Sequence, residues 1–415
     1  LNVWANGKLM GQWRMPARGP AEFQYDAAWI AAPEARPLSL SLPITLDDLP
    51  LKGEAVEFYF DNLLPDSEAI RKRLQSRFHP RSRDAFDLLQ AIGRDCAGAV
   101  QLLPENEAPD DVLSIQVEPL SETGVEKMLL AAVTAAPGTG REESEDFRIS
   151  IAGAQEKTAL TWHAGQWCRP LGATPTTHIF KLPLGLVGHH RADMRTSVEN
   201  EWLCAEILRA YGLPMARCEI GHFGAQKALV VERFDRRLAE SGKYWLRLPQ
   251  EDFCQATATP PSAKYQADGG PGLIDIARIL HGSEARDEDL ATLLRAQLLF
   301  WMLAATDGHA KNFSLHLLAG GRYWLAPLYD VLSVWPIVGH DPRQLDWHKL
   351  KLSMALRGTR AHYSISEIQR RHFNATAHQC GLGRDMEALI EDTLAKTPQV
   401  IAQVEAKLPG DFPED

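Results

Sequence analysis

The chain has 415 residues, a formal net charge of −10 and 45% hydrophobic residues. This length predicts two or three domains in a globular protein, and the acidic balance argues against a protein that grips nucleic acid over a broad face. No apolar run reaches about 18 residues, which excludes a membrane span. No secretion signal is visible. The cysteines are scattered, which predicts reduced thiols in a cytoplasmic protein.

The first 104 residues predict a small antiparallel sheet followed by helices. Asn6 and Gly7 lie between alternating apolar residues, which is a hairpin signal. Further elements are expected in chain order: strands at 23–25 and 38–42, helices at 58–64, 67–74 and 84–92, and a strand within 93–103. Residues 105–145 are acidic and rich in Ala, Pro and Gly, and they predict a linker that contains one helix near 121–132.

The third segment, 146–415, begins with strands and continues with helices. Its predicted elements are a strand, small-residue loop and strand over 147–160, short strands at 179–182 and 229–234, helices at 197–211, 274–281 and 287–305, and a hairpin over 313–328. Two polar stretches, 247–255 and 264–272, are rich in turn residues and are expected to be loops.

The most specific chemical pattern is Asp307 followed by Asn312, with Asp330 beyond the predicted hairpin. Phosphoryl transfer needs a carboxylate to orient a hydroxyl, and an amide oxygen and a second carboxylate to hold Mg²⁺. The D-x-x-x-x-N spacing is that of a protein-kinase catalytic loop. The same residues also suit a purely structural role as turn residues around a hairpin.

The order of the other elements favours the chemical interpretation. A small-residue loop around Gly153 offers backbone N–H groups to phosphates. Lys181 on a short strand is a compact charge suited to phosphate oxygens. Glu232 ends an apolar strand that would supply the hinge for adenine. Because these parts precede Asp307 in the order of an ATP-dependent kinase, the sequence predicts a phosphoryl-transfer site.

Longer motifs carry a family resemblance. They are the stretches 58–67, 150–158 (S-I-A-G-A-Q-E-K-T), 231–236 (V-E-R-F-D-R), 247–255 (R-L-P-Q-E-D-F-C-Q) and 306–312. Together they resemble the HipA family of bacterial toxin kinases along essentially the whole chain. The resemblance implies an α+β, protein-kinase-like fold with two lobes, a small N-terminal β-rich subdomain over 1–104, and a helical C-terminal lobe within a catalytic domain over 146–415.

The resemblance also implies roles for single residues. Asp307 matches the catalytic base, Asn312 and Asp330 match the Mg²⁺ ligands, and Ser150 matches the autophosphorylation site. The residues that match the ATP site are Ala152, Gly153, Ala154, Lys157, Lys181, Glu232, Phe234 and His309.

The expected cofactors are ATP and Mg²⁺. By resemblance, the protein substrate is glutamyl-tRNA synthetase, phosphorylated on a serine. The expected partner is a HipB-like helix-turn-helix antitoxin, which binds operator DNA together with the toxin.

The chain departs from ordinary kinases, and alternatives stay open. The phosphate loop has Gly153 but no G-x-G-x-x-G, Asp330 is not in a D-F-G motif, and either Glu199 or Glu201 could pair with Lys181. One alternative is a small-molecule kinase of the aminoglycoside-phosphotransferase type. Another is a corepressor subunit that contacts DNA through the basic segment 71–83, which a solvated helix face would also explain.

Overall fold

The structure, a computed structural model, describes residues 1–45, 49–133, 150, 152, 155–188 and 191–414. Among these residues, no helix combines the length and the apolar character that crossing a membrane requires. All six cysteines are unpaired.

The helices in the described part of the chain are α1 (Ala27–Ile30), α2 (Glu54–Asp61), α3 (Glu68–Phe78), α4 (Ala85–Ile92), α5 (Glu122–Val133), α6 (Ser197–Ala210), α7 (Phe253–Ala256), α8 (Leu273–Leu280), α9 (Arg286–Met302), α10 (Arg370–Gln379) and α11 (Glu387–Glu405).

The strands are β1 (Asn2–Ala5), β2 (Lys8–Arg14), β3 (Glu22–Tyr25), β4 (Leu51–Lys52), β5 (Val100–Leu103), β6 (Val117–Pro119), β7 (Lys157–His163), β8 (Gln166–Pro170), β9 (His178–Lys181), β10 (Gly185–Val187), β11 (Ala192–Met194), β12 (Cys218–Phe223), β13 (Gln226–Glu232), β14 (Arg236–Leu238), β15 (Trp245–Arg247), β16 (Gln250–Asp252), β17 (Ser314–Leu317), β18 (Tyr323–Leu325), β19 (Lys351–Arg357) and β20 (Ala361–Ser364).

The chain divides into two compact units. The first contains residues 1–182, 221–262 and 316–322, and the second contains 183–220, 263–315 and 323–415. The first unit is rich in strands, and the second holds the long helices α6, α9 and α11. This is a mixed α/β fold.

An antiparallel sheet in the order β4-β3-β2-β1-β5 opens the first unit. The β1–β2 hairpin turns at Asn6 and Gly7, whose φ angles of 48° and 80° are in the left-handed region that this residue pair favours. Helices α2 and α4 cover the sheet, and Trp13 stacks on Phe60 with ring centroids 4.0 Å apart. These apolar side chains form the core of the segment.

A second sheet in the first unit contains β13, β9, β7, β8 and β6 as successive neighbours. Helix α5 packs on it through Val125 and Leu129, which join a buried cluster with Leu160 and Phe180. Thus β6 and α5, both within the segment expected to be a linker, are part of this sheet and its core.

In the second unit, α8 and α11 contact α9, and α10 packs against β19. Helix α9 buries apolar residues around most of its circumference, including Leu290, Leu293 and Phe300. Such a helix lies inside a core instead of on a surface. It leads directly into the segment that contains Asp307.

Most predicted elements are present with shifted ends, but the strand predicted at 38–42 is wrong. These residues form a turn, in which the Leu42 amide donates to the Ser39 carbonyl at 3.0 Å. The Ser41 amide donates to the Ser39 hydroxyl at 3.1 Å. Serine side chains that satisfy nearby backbone groups compete with strand pairing, which the alternating pattern alone does not reveal.

Candidate active site

The loop that carries Asp307 begins where α9 ends. The Ala305 amide donates to the Phe300 carbonyl at 2.8 Å and closes the last turn of the helix. A Cβ atom at Gly308 would lie 2.5 Å from the Phe300 ring. Because that ring is buried, a larger residue at Gly308 would displace the loop. The buried helix end therefore sets the position of Asp307 and His309.

Asp307 presents its carboxylate to solvent, with 62% of the side chain exposed. The Tyr265 hydroxyl donates to Oδ1 of Asp307 at 2.7 Å. The Asn312 side-chain amide donates to the backbone carbonyl of Asp307 at 2.8 Å. The loop is therefore held through its backbone, while the carboxylate keeps the exposure that a base needs to meet an acceptor hydroxyl.

His309 lies beside this carboxylate but is buried. Its Nε2 is 3.8 Å from Oδ1 of Asp307. Burial lowers the pKa of His309, and the charges of Asp307 and Asp330 oppose that change. Its Nδ1 is a buried atom without a hydrogen-bond partner among the described residues. A neutral imidazole with an unsatisfied nitrogen is suited to a polar ligand.

The predicted hairpin before Asp330 is present. The Leu318 amide donates to the Arg322 carbonyl at 2.8 Å near its turn, and the Ala326 amide donates to the Ser314 carbonyl at 2.8 Å near its base. The hairpin returns the chain towards the loop that contains Asp307 and Asn312, as the sequence predicts.

Tyr329 then ties the Asp330 segment to that loop. Its hydroxyl donates to the Lys311 carbonyl at 2.8 Å and lies 2.6 Å from the Ser314 hydroxyl. Asp330 has φ 60°, a left-handed conformation that few non-glycine residues adopt. Such strain concentrates at functional sites.

The side-chain oxygens of Asn312 and Asp330 are ligand types that fit a hard divalent cation. The nitrogen of the buried Asn312 amide donates to the Asp307 carbonyl, so its amide oxygen is the atom that can coordinate a cation. An amide oxygen and a carboxylate are the ligand types that Mg²⁺ prefers beside phosphates. The residues present therefore fit Mg²⁺.

Two lysines face each other in the first unit. Lys181 on β9 is buried and lies directly opposite Lys157 on β7 in the antiparallel register. The Lys157 ammonium group donates to the Ala152 carbonyl. A lysine ammonium group is a compact positive charge. This pair is suited to phosphate oxygens.

The predicted hinge follows β13. Glu232 is exposed and pairs with His178 in the register of β13 and β9. Phe234 is half-buried, and its ring lies at 89° to that of His316 with centroids 5.6 Å apart. The alternating residues Arg233 and Asp235 point inward and are buried. Gly153 and Ala154, also predicted to bind ATP, lie outside the described residues.

Ser150 is fully buried, with 0% exposure. Its hydroxyl donates to the Leu63 carbonyl at 2.8 Å, and its amide donates to the Asp95 carbonyl at 3.1 Å. A serine that must receive a phosphate cannot react in this position, because no other molecule can reach its hydroxyl.

Sequence reasoning missed a buried ionic cluster in the first unit, which we call the arginine cluster. Its members are Asp95, Asp235, Arg233, Arg236 and Arg247. Burial alone would raise the pKa of Asp95, but the surrounding guanidinium groups, that of Arg236 above all, hold this pKa well below its usual range. Within V-E-R-F-D-R, Arg233 and Asp235 alternate with the predicted hinge residues Glu232 and Phe234. This period of two is typical of a strand and could have indicated that the arginine and the aspartate face inward.

The stretch 247–255, expected to be a loop, is instead β16 and α7 together with the end of β15. Arg247 joins the arginine cluster at 3.2 Å from Asp95. Asp252 caps α7 in a reciprocal pair with Gln255, and Glu251 accepts from the Leu40 amide at 2.9 Å. The polar residues of this motif are buried partners of the first unit, which composition alone does not distinguish from loop residues.

Three arginines of the basic segment 71–83 pair with carboxylates of the first unit. Arg71 pairs with Asp61 at 2.8 Å and is buried. Arg73 pairs with Glu156, and Arg83 pairs with Glu68 at 2.8 Å. These ion pairs reduce the positive charge that the segment presents, so they do not favour a DNA-contacting face.

Comparisons with known proteins identify the family of this chain. The model of the HipA N-terminal domain matches residues 1–103, and that of the HipA-like C-terminal domain matches residues 149–401. The solved complex of Shewanella oneidensis HipA, HipB and operator DNA has a chain similar to this one, with a TM-score of 0.78 and 23% identity. The match covers 100% of this chain and 92% of that one, and it shows a kinase-like fold.

Two curated relatives match most of this chain in sequence. The protein named "Putative kinase Y4mE" of Sinorhizobium fredii is 32% identical over 97% of this chain and 91% of its own length. The Serine/threonine-protein kinase toxin HipA of Shewanella oneidensis is 28% identical over 90% of this chain and 82% of its own length. With both family models matched and a relative of this identity along nearly its whole length, the chain belongs to the HipA family of kinases.

Proposed function

We propose that this chain is a Ser/Thr protein kinase of the toxin type, which transfers the γ-phosphate of Mg²⁺–ATP to a serine of a protein. The supporting observation is the arrangement around Asp307. Its carboxylate is exposed, its backbone is held by Asn312, and Tyr329 ties the Asp330 segment to the same loop. Phosphoryl transfer depends mainly on positioning and charge stabilisation, and this arrangement supplies both.

In the proposed mechanism, Asp307 orients the acceptor hydroxyl and accepts its proton. Asn312 and Asp330 would hold Mg²⁺ through oxygen atoms, and the ion would supply positive charge that balances the phosphates. Lys157 and Lys181 bind phosphate oxygens. His309 contributes a neutral ring that contacts the nucleotide, and the backbone around Glu232 and Phe234 receives the adenine. Gly153 and Ala154 belong to the phosphate loop in this proposal.

We further propose that Ser150 is an autophosphorylation site that controls the kinase. A phosphoserine carries about −1.5 to −2 charge at pH 7, which the buried site beside the Leu63 carbonyl cannot accommodate. Once phosphorylated outside this site, Ser150 could not return, and the adjoining loop would lose its anchor. Nucleotide titration of phosphorylated chain against the Ser150→Ala variant tests this; equal affinities for ATP would contradict it.

The family and its relatives support proposals for partners. The solved relative is a complex of HipA with HipB and operator DNA, so we propose a HipB-like antitoxin for this chain, with operator DNA reached through that complex. By family resemblance, we propose glutamyl-tRNA synthetase as the protein substrate.

A phosphoserine map tests the function as a whole. The chain is incubated with Mg²⁺–ATP, with and without glutamyl-tRNA synthetase, and both proteins are analysed by mass spectrometry. We expect phosphate on Ser150 and on one serine of the synthetase. Phosphate on Ser150 alone would keep the kinase and reject that substrate, and no phosphate on either protein would reject the proposed function.

A further inference from the structure

The segment 264–272 has no role in the mechanism above, yet it supplies the partner of the catalytic carboxylate. The Tyr265 hydroxyl donates to Oδ1 of Asp307 at 2.7 Å. Within the described residues this hydroxyl is the hydrogen-bond donor to the Asp307 carboxylate, since the nearest nitrogen of His309 is 3.8 Å away. A hydroxyl–carboxylate bond of this length is charge-assisted and directional.

Tyr265 is held through its ring and its backbone, and the residue that follows it is anchored as well. It lies at 80° to the ring of His309 with centroids 5.1 Å apart, and the Lys264 ammonium group lies 5.5 Å from its centre. The Gly270 amide donates to the Tyr265 carbonyl at 3.0 Å. Next in the chain, the Gln266 side chain accepts from the Ala355 amide at 2.7 Å. These contacts fix the hydroxyl relative to the catalytic loop.

We propose that Tyr265 is a positioning residue for the catalytic base. It holds Asp307 through Oδ1, so that Oδ2 faces the acceptor hydroxyl in a single orientation. An exposed aspartate otherwise rotates among several conformers, and only some of them can receive the acceptor proton. The proposal rests on the proposed role of Asp307 as the base.

The same contact could instead be inhibitory, because a tyrosine hydroxyl on Oδ1 resembles a bound acceptor. The two roles predict opposite effects. If Tyr265 positions Asp307, removal of its hydroxyl slows transfer and leaves ATP binding unchanged. If it blocks Asp307, removal of its hydroxyl speeds transfer or lowers the KM for the protein acceptor.

The test compares Tyr265→Phe, which keeps the ring beside His309, with the original chain. Initial rates of label transfer from γ-labelled ATP into both the chain and added glutamyl-tRNA synthetase are measured over a range of Mg²⁺–ATP concentrations. We expect kcat to fall on the order of tenfold, with the KM for ATP and the thermal midpoint unchanged.

Tyr323→Phe is the matched control. It removes a phenolic hydroxyl that donates to the Ile279 carbonyl at 2.8 Å, in the same unit but on a different partner. We expect its kcat and KM to equal those of the original chain.

The outcomes separate this proposal from the one on which it rests. An unchanged kcat in Tyr265→Phe would overturn the positioning role, and a raised kcat would assign the blocking role instead. If Asp307→Asn labels protein as fast as the original chain, or if the original chain labels nothing, it is the proposed function that fails.

Discussion

Asp95 in the first unit and Asp307 in the second are both paired carboxylates with opposite surroundings. Asp95 is buried among three arginines, and it also accepts from the Thr176 hydroxyl at 2.6 Å. Asp307 is exposed and meets one tyrosine hydroxyl. A carboxylate whose oxygens are all bonded to protein groups cannot bind a substrate. A carboxylate that accepts a single hydrogen bond still has an oxygen that a substrate can reach. The strongly lowered pKa belongs to Asp95, so a shifted pKa here marks structure instead of catalysis.

The largest expected effect is on catalysis at Asp307. Asp307→Asn keeps the size of the side chain and removes the base, so phosphoryl transfer should fall on the order of 1,000-fold. The free energy of unfolding should change by less than about 0.5 kcal/mol, because the carboxylate is exposed. Radiolabel transfer and chemical denaturation measure the two quantities. A variant that transfers at the original rate would show that the base lies elsewhere.

Asp95→Asn should produce the opposite result. It leaves the guanidinium groups of the arginine cluster with one carboxylate, and breaking a buried ion pair costs about 3–5 kcal/mol. Denaturant titration should show this loss, while the folded fraction keeps its kcat. Asp193→Asn, which removes an exposed partner of Arg195, is the control and should leave the denaturation midpoint unchanged. A stability equal to that of the control would contradict the structural role of Asp95.

Glu251 is a third carboxyl group, and its burial makes the free energy of unfolding depend on pH. Burial raises its pKa to about 8, although donors from Ser39 and Leu40 oppose the change. Because the folded pKa lies above the unfolded value, this group's stabilising contribution is complete below about pH 4.5 and is lost as pH rises through 8. In Glu251→Gln the fall of the unfolding free energy between pH 5 and 8 should be smaller by on the order of 3 kcal/mol. Identical pH curves for the two chains would show that Glu251 stays ionised.

The smallest effect is expected at Arg83. Arg83 forms an ion pair with Glu68 at 2.8 Å, but the two side chains are 47% and 72% exposed. Arg83→Gln should change the unfolding free energy by less than about 0.5 kcal/mol, since water already screens the pair. A loss above 1 kcal/mol in denaturant titration would show that an exposed ion pair also stabilises this chain strongly. Burial would then not explain why the Asp95 pairs matter more for stability.

Much of the fold was predictable because local signals agree with the tertiary structure. The Asn6-Gly7 hairpin, α4 after Asp84, and α6 with Gly212 beyond its end follow from turn and helix-end chemistry. The failures have a common physical origin. The turn at 38–42 is held by bonds to Ser39 and by Glu251, and the polar motif 247–255 has partners in distant parts of the chain. The residue pattern alone does not show which groups these polar atoms bind.

The chain's sequence by itself determined the order of the chemical groups: the lysine strand, the hinge, then Asp307, Asn312 and Asp330. That order follows from residue types at fixed spacings, and it sufficed to predict phosphoryl transfer. Only the tertiary structure decided which charges are buried. It placed Arg233 and Arg247 beside Asp95, enclosed Ser150 under the Leu63 carbonyl, and brought Tyr265 to Asp307. Contacts between residues far apart in the chain depend on packing, and no local pattern of residues encodes them.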